Sequence, residues 1–269
     1  MASGQSLVPT ILLLLCIVST AVAHSIIQVV SGDGKIRIDD NLYCESWRLS
    51  IETNDFGNWS TVPERCKSFV QDYMTGDRYP SDLEFVALDS LTFAKTVELT
   101  GDGKDVWVFD IDETLLSNMP YYATIGFGTE TYNETSWDDW VALGEAPALA
   151  ASLKLYKELQ QLGFTIVLLT GRDEYQRNVT VKNLLAAGYT DWETLFLRAT
   201  EDEGKKAIVY KSEKRAELVS EGYRIHGNSG DQWSDLLGYP VANRDKACMP
   251  NHVAILCYQV VYFNPSRVG

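Results

Sequence analysis

The segment Val106-Trp107-Val108-Phe109-Asp110-Ile111-Asp112-Glu113-Thr114 constrains the fold more than any other stretch of the 269 residues. Four bulky apolar residues in a row suit a strand covered on both faces, as in a parallel sheet. The run stops at two carboxylates spaced by one residue. Alternate residues of an extended segment point the same way, so Asp110 and Asp112 can converge on one spot. In open α/β sheets ligands bind just past the carboxyl ends of the strands, where both aspartates fall. Two anions that close repel each other unless a cation or a shared proton relieves them. The segment therefore asks for a metal, a proton, or both.

The rest of the chain supplies more strands and helices in alternation. Residues 164–169 read as a second apolar strand ending in Thr170-Gly171-Arg172, and residues 194–197 as a third. A fourth, over residues 223–228, runs into Gly230-Asp231-Gln232-Trp233-Ser234-Asp235. Helices are expected over 146–162, 173–187 and 206–220. This alternation predicts an α/β fold with a parallel sheet and right-handed crossovers. Ahead of the first strand, helices are expected over 41–53, 63–74 and 81–99, the last capped by Ser81. Residues 118–144 hold Tyr121, Tyr122, Phe127, Tyr132, Trp137 and Trp140. They read as an irregular insertion over the mouth of the site, with rings that serve packing more than substrate.

A formal net charge of −14 argues against nucleic acid and anionic membranes as partners. The apolar run from Leu7 to Val18, followed by Ala21-Val22-Ala23, reads as a secretory signal peptide cleaved after Ala23. It is too short to span a bilayer. Cleavage leaves Cys44, Cys66, Cys248 and Cys257, and an even count in a secreted chain favours disulfides. Of the three connectivities, Cys44 with Cys66 is preferred, because short helical segments around them could bring them together. Sequons begin at Asn58, Asn133 and Asn178.

Parallel strands place Asp110 and Asp112, Thr170, and Asp231 and Asp235 on one edge of the sheet. Lys205, Lys206, Lys211 and Lys214 shortly precede the last pair. A carboxylate cluster there suits a hard cation such as Mg²⁺. A threonine hydroxyl, backbone N–H groups and an ammonium suit a phosphate. An ionised aspartate can attack phosphorus once a cation and an ammonium cancel the repulsion. Asp112 can then exchange a proton with the leaving alcohol and with water. Other readings fit less of the chain. An EF-hand fails, because Thr114 stands where a ligand is wanted and no Gly occupies position 115. A glycosyltransferase DxD leaves Thr170-Gly171-Arg172 and the second acidic pair unexplained. Ile225 separates Arg224 from His226, so the two do not form an Arg-His-Gly motif, and His226 reads as a strand residue.

These groups, in this order, resemble the four motifs of the haloacid dehalogenase (HAD) superfamily. The longer match, from about Cys44 to Arg244, resembles the plant acid phosphatase and vegetative storage protein family within the subfamily IIIB acid phosphatases. The resemblance implies a Rossmann-like core over 105–244 with a small cap insertion at 118–144, after an N-terminal helical extension over 24–104. It implies a Mg²⁺-dependent phosphomonoesterase. Asp110 resembles the nucleophile and a metal ligand. Asp112 resembles the general acid/base, giving its backbone carbonyl to the metal. Thr170 resembles the phosphate-binding hydroxyl, and Lys211 the phosphate-neutralising lysine, with Lys214 as the alternative. Asp231 resembles a direct metal ligand and Asp235 a supporting or water-mediated one. The implied protein is a secreted or vacuolar acid phosphatase acting on small phosphate monoesters. A storage protein with incidental activity is the alternative, and phosphoryl transfer to another alcohol a third reading at the same site. Retention of Asp110 argues for an active enzyme. Dimerisation, with itself or with a relative, is left open. Residues 245–269 depart from the Phe-Lys-Leu-Pro-Asn-Pro type of ending known in the family.

Overall fold

A computed structural model of the chain describes residues 39–53 and 61–236. The expected signal peptide, the Asn58 sequon, Cys248, Cys257 and the atypical tail lie outside the described residues. The chain divides into two compact units, Met1–Tyr43 and Cys44–Gly269, and the second holds the sheet.

Four parallel strands form that sheet in the order β3-β2-β1-β4: β1 (Asp105–Phe109), β2 (Thr165–Asp173), β3 (Thr194–Arg198) and β4 (Arg224–Ser229). The expected α/β class holds. Strand β1 is central, paired with β2 through Val106↔Thr165 to Phe109↔Leu168, and with β4 on its other side. Its side chains divide by parity between two cores. Trp107 and Phe109 join Ile166 and Leu168 of β2 under helix α6 (Ala150–Leu162), whose Tyr156 and Leu159 are fully buried. Val106 and Val108 join Val167 and Leu169 under helix α8 (Ala207–Ser220), through Tyr210 and Leu218. Helices on both faces explain why these strands read as unbroken apolar runs.

Two glycines let the last strand meet the first. The β1–β4 register slips at His226, so Trp107 lies opposite Gly227. A Cβ at Gly227 would stand 2.5 Å from the Trp107 indole, which instead donates its Nε1–H to Ser229 Oγ at 2.9 Å. A Cβ at Gly230 would stand 2.0 Å from Cβ of Asp235. Only glycine there allows the chain after β4 to fold Asp235 back against the strand end.

A third core forms between the segments before β1 and the 118–144 insertion. Helices α1 (Asp40–Glu52), α2 (Lys67–Thr75) and α3 (Arg78–Ala94) precede the sheet. Trp47, Cys66, Val70 and Tyr73 pack with Tyr121, Tyr122, Phe127 and Trp137. The insertion is therefore ordered, with helices α4 (Met119–Thr124) and α5 (Glu134–Leu143), not irregular as expected. Asn133 caps α5 by accepting from Ser136 N at 2.9 Å, and Gly144 ends it in the left-handed conformation. The expectation that these rings serve packing agrees with their burial. Cys44 and Cys66 form a disulfide, with Cα atoms 5.5 Å apart.

Four helix starts differ from expectation by three or four residues, two of them because a 3-10 turn comes first: Glu64–Cys66 before α2 and Glu174–Gln176 before the helix at Arg177. Helix α3 begins at Arg78, so Ser81 lies inside it rather than capping it. Pro80 falls in the first turn, where a missing N–H costs nothing. Helix α6 begins at Ala150, because 146–149 run extended and Leu149 N donates to Leu115 O at 2.9 Å. Beyond β2, a short 3-10 turn (Glu174–Gln176) leads into helix α7 (Arg177–Ala186), and a four-residue helix α9 (Trp233–Leu236) follows β4. Among the described residues no helix is long and apolar enough to cross a membrane.

Candidate active site

The carboxyl ends of β1, β2 and β4 meet at one place. Asp110 N donates to Ser229 O at 2.9 Å, tying the end of β1 to the end of β4. Asp110, Asp231 and Asp235 bring carboxylate oxygens within 4.8 Å of one another, all buried. Lys211 reaches them from the second turn of α8. Its Nζ lies 2.7 Å from Asp110 Oδ1 and also bonds Asp235 Oδ1. Asp235 Oδ2 accepts from Gln232 N at 2.9 Å, so one carboxylate orients the ammonium from a braced position. Lys214, the alternative, points away to Glu217 at 3.0 Å.

Three carboxylates facing one ammonium leave an excess of negative charge. Burial, opposed by Lys211 and reinforced by Asp235 and Asp112, pushes the Asp110 carboxyl up to about 7. Burial, with Asp235 and Asp110 beside it, holds Asp231 well above the usual carboxylate range. Burial disfavours the Lys211 ammonium, yet Asp110 and Asp235 keep its pKa above the ordinary value. Buried oxygen donors with too little positive charge beside them have the donor chemistry for a hard divalent cation.

Asp112 lines the same cleft as Asp110 and Asp231, with its carboxylate held by Arg172. Arg172, which is 1% exposed, donates Nε to Asp112 Oδ2 at 3.0 Å and Nη2 to Oδ1 at 2.7 Å. Its third arm donates to Thr180 Oγ1 at 3.1 Å. Asn118 adds an amide donor to Asp112 Oδ1 at 3.0 Å and to Glu113 Oε2 at 2.8 Å. Its own carbonyl accepts from Trp140 Nε1 at 2.8 Å, which links the aspartate loop to α5. Glu113 sits at φ +54°, a strained position for a side chain other than Gly, Asn or Asp. Burial raises its carboxyl to about 8. The strand β2 runs on to Asp173, past the expected end, so Thr170 is fully buried inside it, its Oγ1 accepting from Arg172 N at 3.1 Å.

A cleft of about 40 Å³ opens here, lined by Asp110, Asp112, Gly171, Lys211, Asp231 and Trp137 among others. Asp110, Lys211, Asp231 and Asp235 thus share one neighbourhood, with Asp112 on its wall. Arg172 and Asn118 hold Asp112, and Asn118 also holds Glu113; sequence reasoning assigned none of the three a role. Arg172 stood beside Thr170 in the motif, but its partner lies sixty residues earlier in the chain.

The arrangement has known counterparts. Residues 31–257 match the family described as HAD superfamily, subfamily IIIB (acid phosphatase). The chain is 50% identical over 208 residues to Acid phosphatase 1 of Solanum lycopersicum, covering 77% of this chain and 82% of that protein. It is 42% identical over 198 residues to Vegetative storage protein 1 of Arabidopsis thaliana, covering 72% of each. It is 43% identical over 196 residues to the Stem 28 kDa glycoprotein of Glycine max, covering 72% of this chain and 76% of that one. The Class C acid phosphatase from Bacillus anthracis, solved with tungstate bound, superposes with a TM-score of 0.54 at 28% identity, over 68% of this chain and 76% of the other. Phosphatases of the HAD superfamily generally use a divalent metal and act on small phosphate monoesters. The chain belongs to the subfamily IIIB acid phosphatases of the HAD superfamily.

Proposed function

We propose that this acid phosphatase works through a phosphoryl group carried transiently on Asp110, with Mg²⁺ as its ion. The observation that carries the reading is the buried contact of Lys211 Nζ with Asp110 Oδ1 at 2.7 Å, beside two further carboxylates. The ion would be held by Asp110 and Asp231 and by the backbone carbonyl of Asp112, with Asp235 in support. When bound, it supplies positive charge against the phosphate dianion and the charge developing in transfer.

The remaining work falls to side chains. An oxygen of Asp110 attacks phosphorus while the bond to the alcohol oxygen breaks. The Lys211 ammonium and the Thr170 hydroxyl steady the equatorial oxygens. Asp112, which enters the cycle protonated at acidic pH, gives that proton to the departing alcohol. It then takes one from the water that attacks phosphorus and frees Asp110. Arg172 holds Asp112 in place for both transfers.

The test is hydrolysis of p-nitrophenyl phosphate at acidic pH, with and without Mg²⁺, for wild type and Asp110→Asn. Loss of turnover in the variant is expected; equal rates would refute the role of Asp110. The likeness to vegetative storage proteins favours a second reading, an amino-acid reserve with incidental activity. A very low turnover number together with abundance in storage tissue would favour it. Secretion, or delivery to a vacuole, is the third element of the proposal. Asn133 and Asn178 are both exposed, as glycan acceptors must be, and glycopeptide mass spectrometry of plant-expressed protein checks it.

A further inference from the structure

The catalytic cleft, at about 40 Å³, accommodates a phosphoryl group and leaves the alcohol part of an ester outside it. Ala207, at the start of α8, lines both this cleft and a groove of about 730 Å³. The groove is walled by the corner after β2, at Asp173 to Tyr175, by the loop after β3, from Arg198 to Lys206, and by Glu134 at the start of α5. It lies past the carboxyl ends of β2 and β3, on the sheet edge that carries Asp110. Resting on the phosphatase reading above, we propose that this groove receives the alcohol part of the ester and selects neutral or cationic alcohols over anionic ones.

Charge gives the selection. Five carboxylates and three cations line the groove. Two of the cations are engaged. Arg198 donates to the backbone carbonyls of Asp202 and Lys205, and Lys205 bonds Asp202 and Glu213 at 2.8 Å each. The carboxylates still outnumber the cations, Arg198 and Lys206 included, and among the described residues Glu134, Asp173 and Glu203 are in no ion pair, so the field in the groove is negative. A second phosphate or a carboxylate on the alcohol meets that field and is repelled; an ammonium is attracted. Tyr175 adds a flat apolar surface: it is 69% exposed, and its hydroxyl is fixed to Asp138 of α5 at 2.9 Å.

The test measures kcat/KM for phosphoethanolamine, glycerol phosphate and 3-phosphoglycerate, each relative to methyl phosphate, which is too small to fill the groove. Wild type, Glu203→Lys and Glu203→Gln are compared. Phosphoethanolamine and glycerol phosphate are expected to exceed phosphoglycerate in wild type. Charge reversal should narrow the gap about fivefold, the Coulomb effect of two charge units several ångströms away in a wet groove. The neutral variant should fall between. A gap unchanged in both variants, or a wild type that prefers phosphoglycerate, overturns the groove assignment and leaves the phosphatase reading standing. Hydrolysis of none of the esters by wild type overturns both.

Discussion

Arg172 and Asp112, sixty residues apart in the chain, meet as a fork on a carboxylate: two nitrogens of one guanidinium reach both oxygens, at 3.0 and 2.7 Å. The arginine is buried, so the contact is little screened and the carboxylate has a fixed orientation. Arg172→Lys should therefore not behave as a conservative change, because an ammonium cannot span both oxygens. Turnover is expected to fall roughly 10- to 100-fold, the scale of an ångström of misplacement at a reacting group. KM should move much less, since Lys211 and the carboxylate cluster beside it stay in place. Steady-state kinetics with p-nitrophenyl phosphate checks it; a change confined to KM would contradict the positioning role.

Lys211 and Lys214 differ by one helical turn and should differ sharply in effect. Lys211 bonds Asp110 and Asp235 in the interior, whereas Lys214 makes a partly exposed pair with Glu217. Removing the first takes the only described ammonium from the carboxylate cluster, and Lys211→Ala should lower kcat/KM about 100-fold or more. Lys214→Ala removes a surface pair of small worth, and the rate should change less than about twofold. Inhibition by tungstate or phosphate, measured on both variants, should weaken only for the first.

Excess negative charge at Asp110, Asp231 and Asp235 predicts stabilisation by added metal. A ligand at 100 times its Kd stabilises the folded state by about 2.7 kcal/mol. Titrating Mg²⁺ into chelator-treated protein should raise Tm by several degrees. Asp231→Asn removes one of the three carboxylates, and the Mg²⁺-dependent rise should shrink or vanish. An equal rise in the variant would show that the ion binds elsewhere.

How much of this was legible in the sequence differs by residue, for physical reasons. Val106 to Phe109 and residues 164–169 announced buried strands, because both faces of the sheet are covered and no polar alternation interrupts them. The nearness of Asp110 and Asp231 was legible because the chain leaves neighbouring strands of a parallel sheet on one edge, whereas β2 runs on past Thr170 and buries it within the strand. Arg172 was passed over because its partner, Asp112, is set by how β1 and β2 pair, which single residues do not state. The helices of 118–144 were missed for a similar reason. Their aromatic residues are spaced to fill a core shared with Trp47, Val70 and Tyr73, and follow no clean helical period of their own.

The Cys44–Cys66 bond closes a span of 22 residues around that shared core. A loop of this length restricts the unfolded chain by about 3 kcal/mol. The double variant Cys44→Ala, Cys66→Ala should lose roughly that stability, or about 6–12 °C of Tm for a chain of this size. Neither cysteine lines the catalytic cleft, so kcat at room temperature should stay within about twofold. Calorimetry and kinetics on one preparation separate the two effects.

The opposite end of the sheet carries its own electrostatic clamp. Asp105, nearly fully buried at the start of β1, accepts from Arg224 Nε at 2.7 Å, pairs with His226 Nε2 at 2.8 Å, and accepts from Thr100 N at 2.7 Å. The Arg224 bond first, and then those from His226 and Thr100, outweigh burial and hold its carboxyl well below the usual range. A carboxyl whose folded pKa is depressed contributes stability above its unfolded value, about 3.8 to 3.9, and loses it as pH falls toward the folded value. The clamp should thus stay intact at the mildly acidic pH at which acid phosphatases act. Asp105→Asn keeps the shape and removes the charge, and should cost roughly 2 kcal/mol. The Tm gap between wild type and variant should be flat from about pH 5 to 8, and should begin to close only below about pH 4, where the unfolded wild-type chain takes up a proton that the folded clamp still refuses. A gap that instead widens on acidification would show that Asp105 is not ionised in the folded protein.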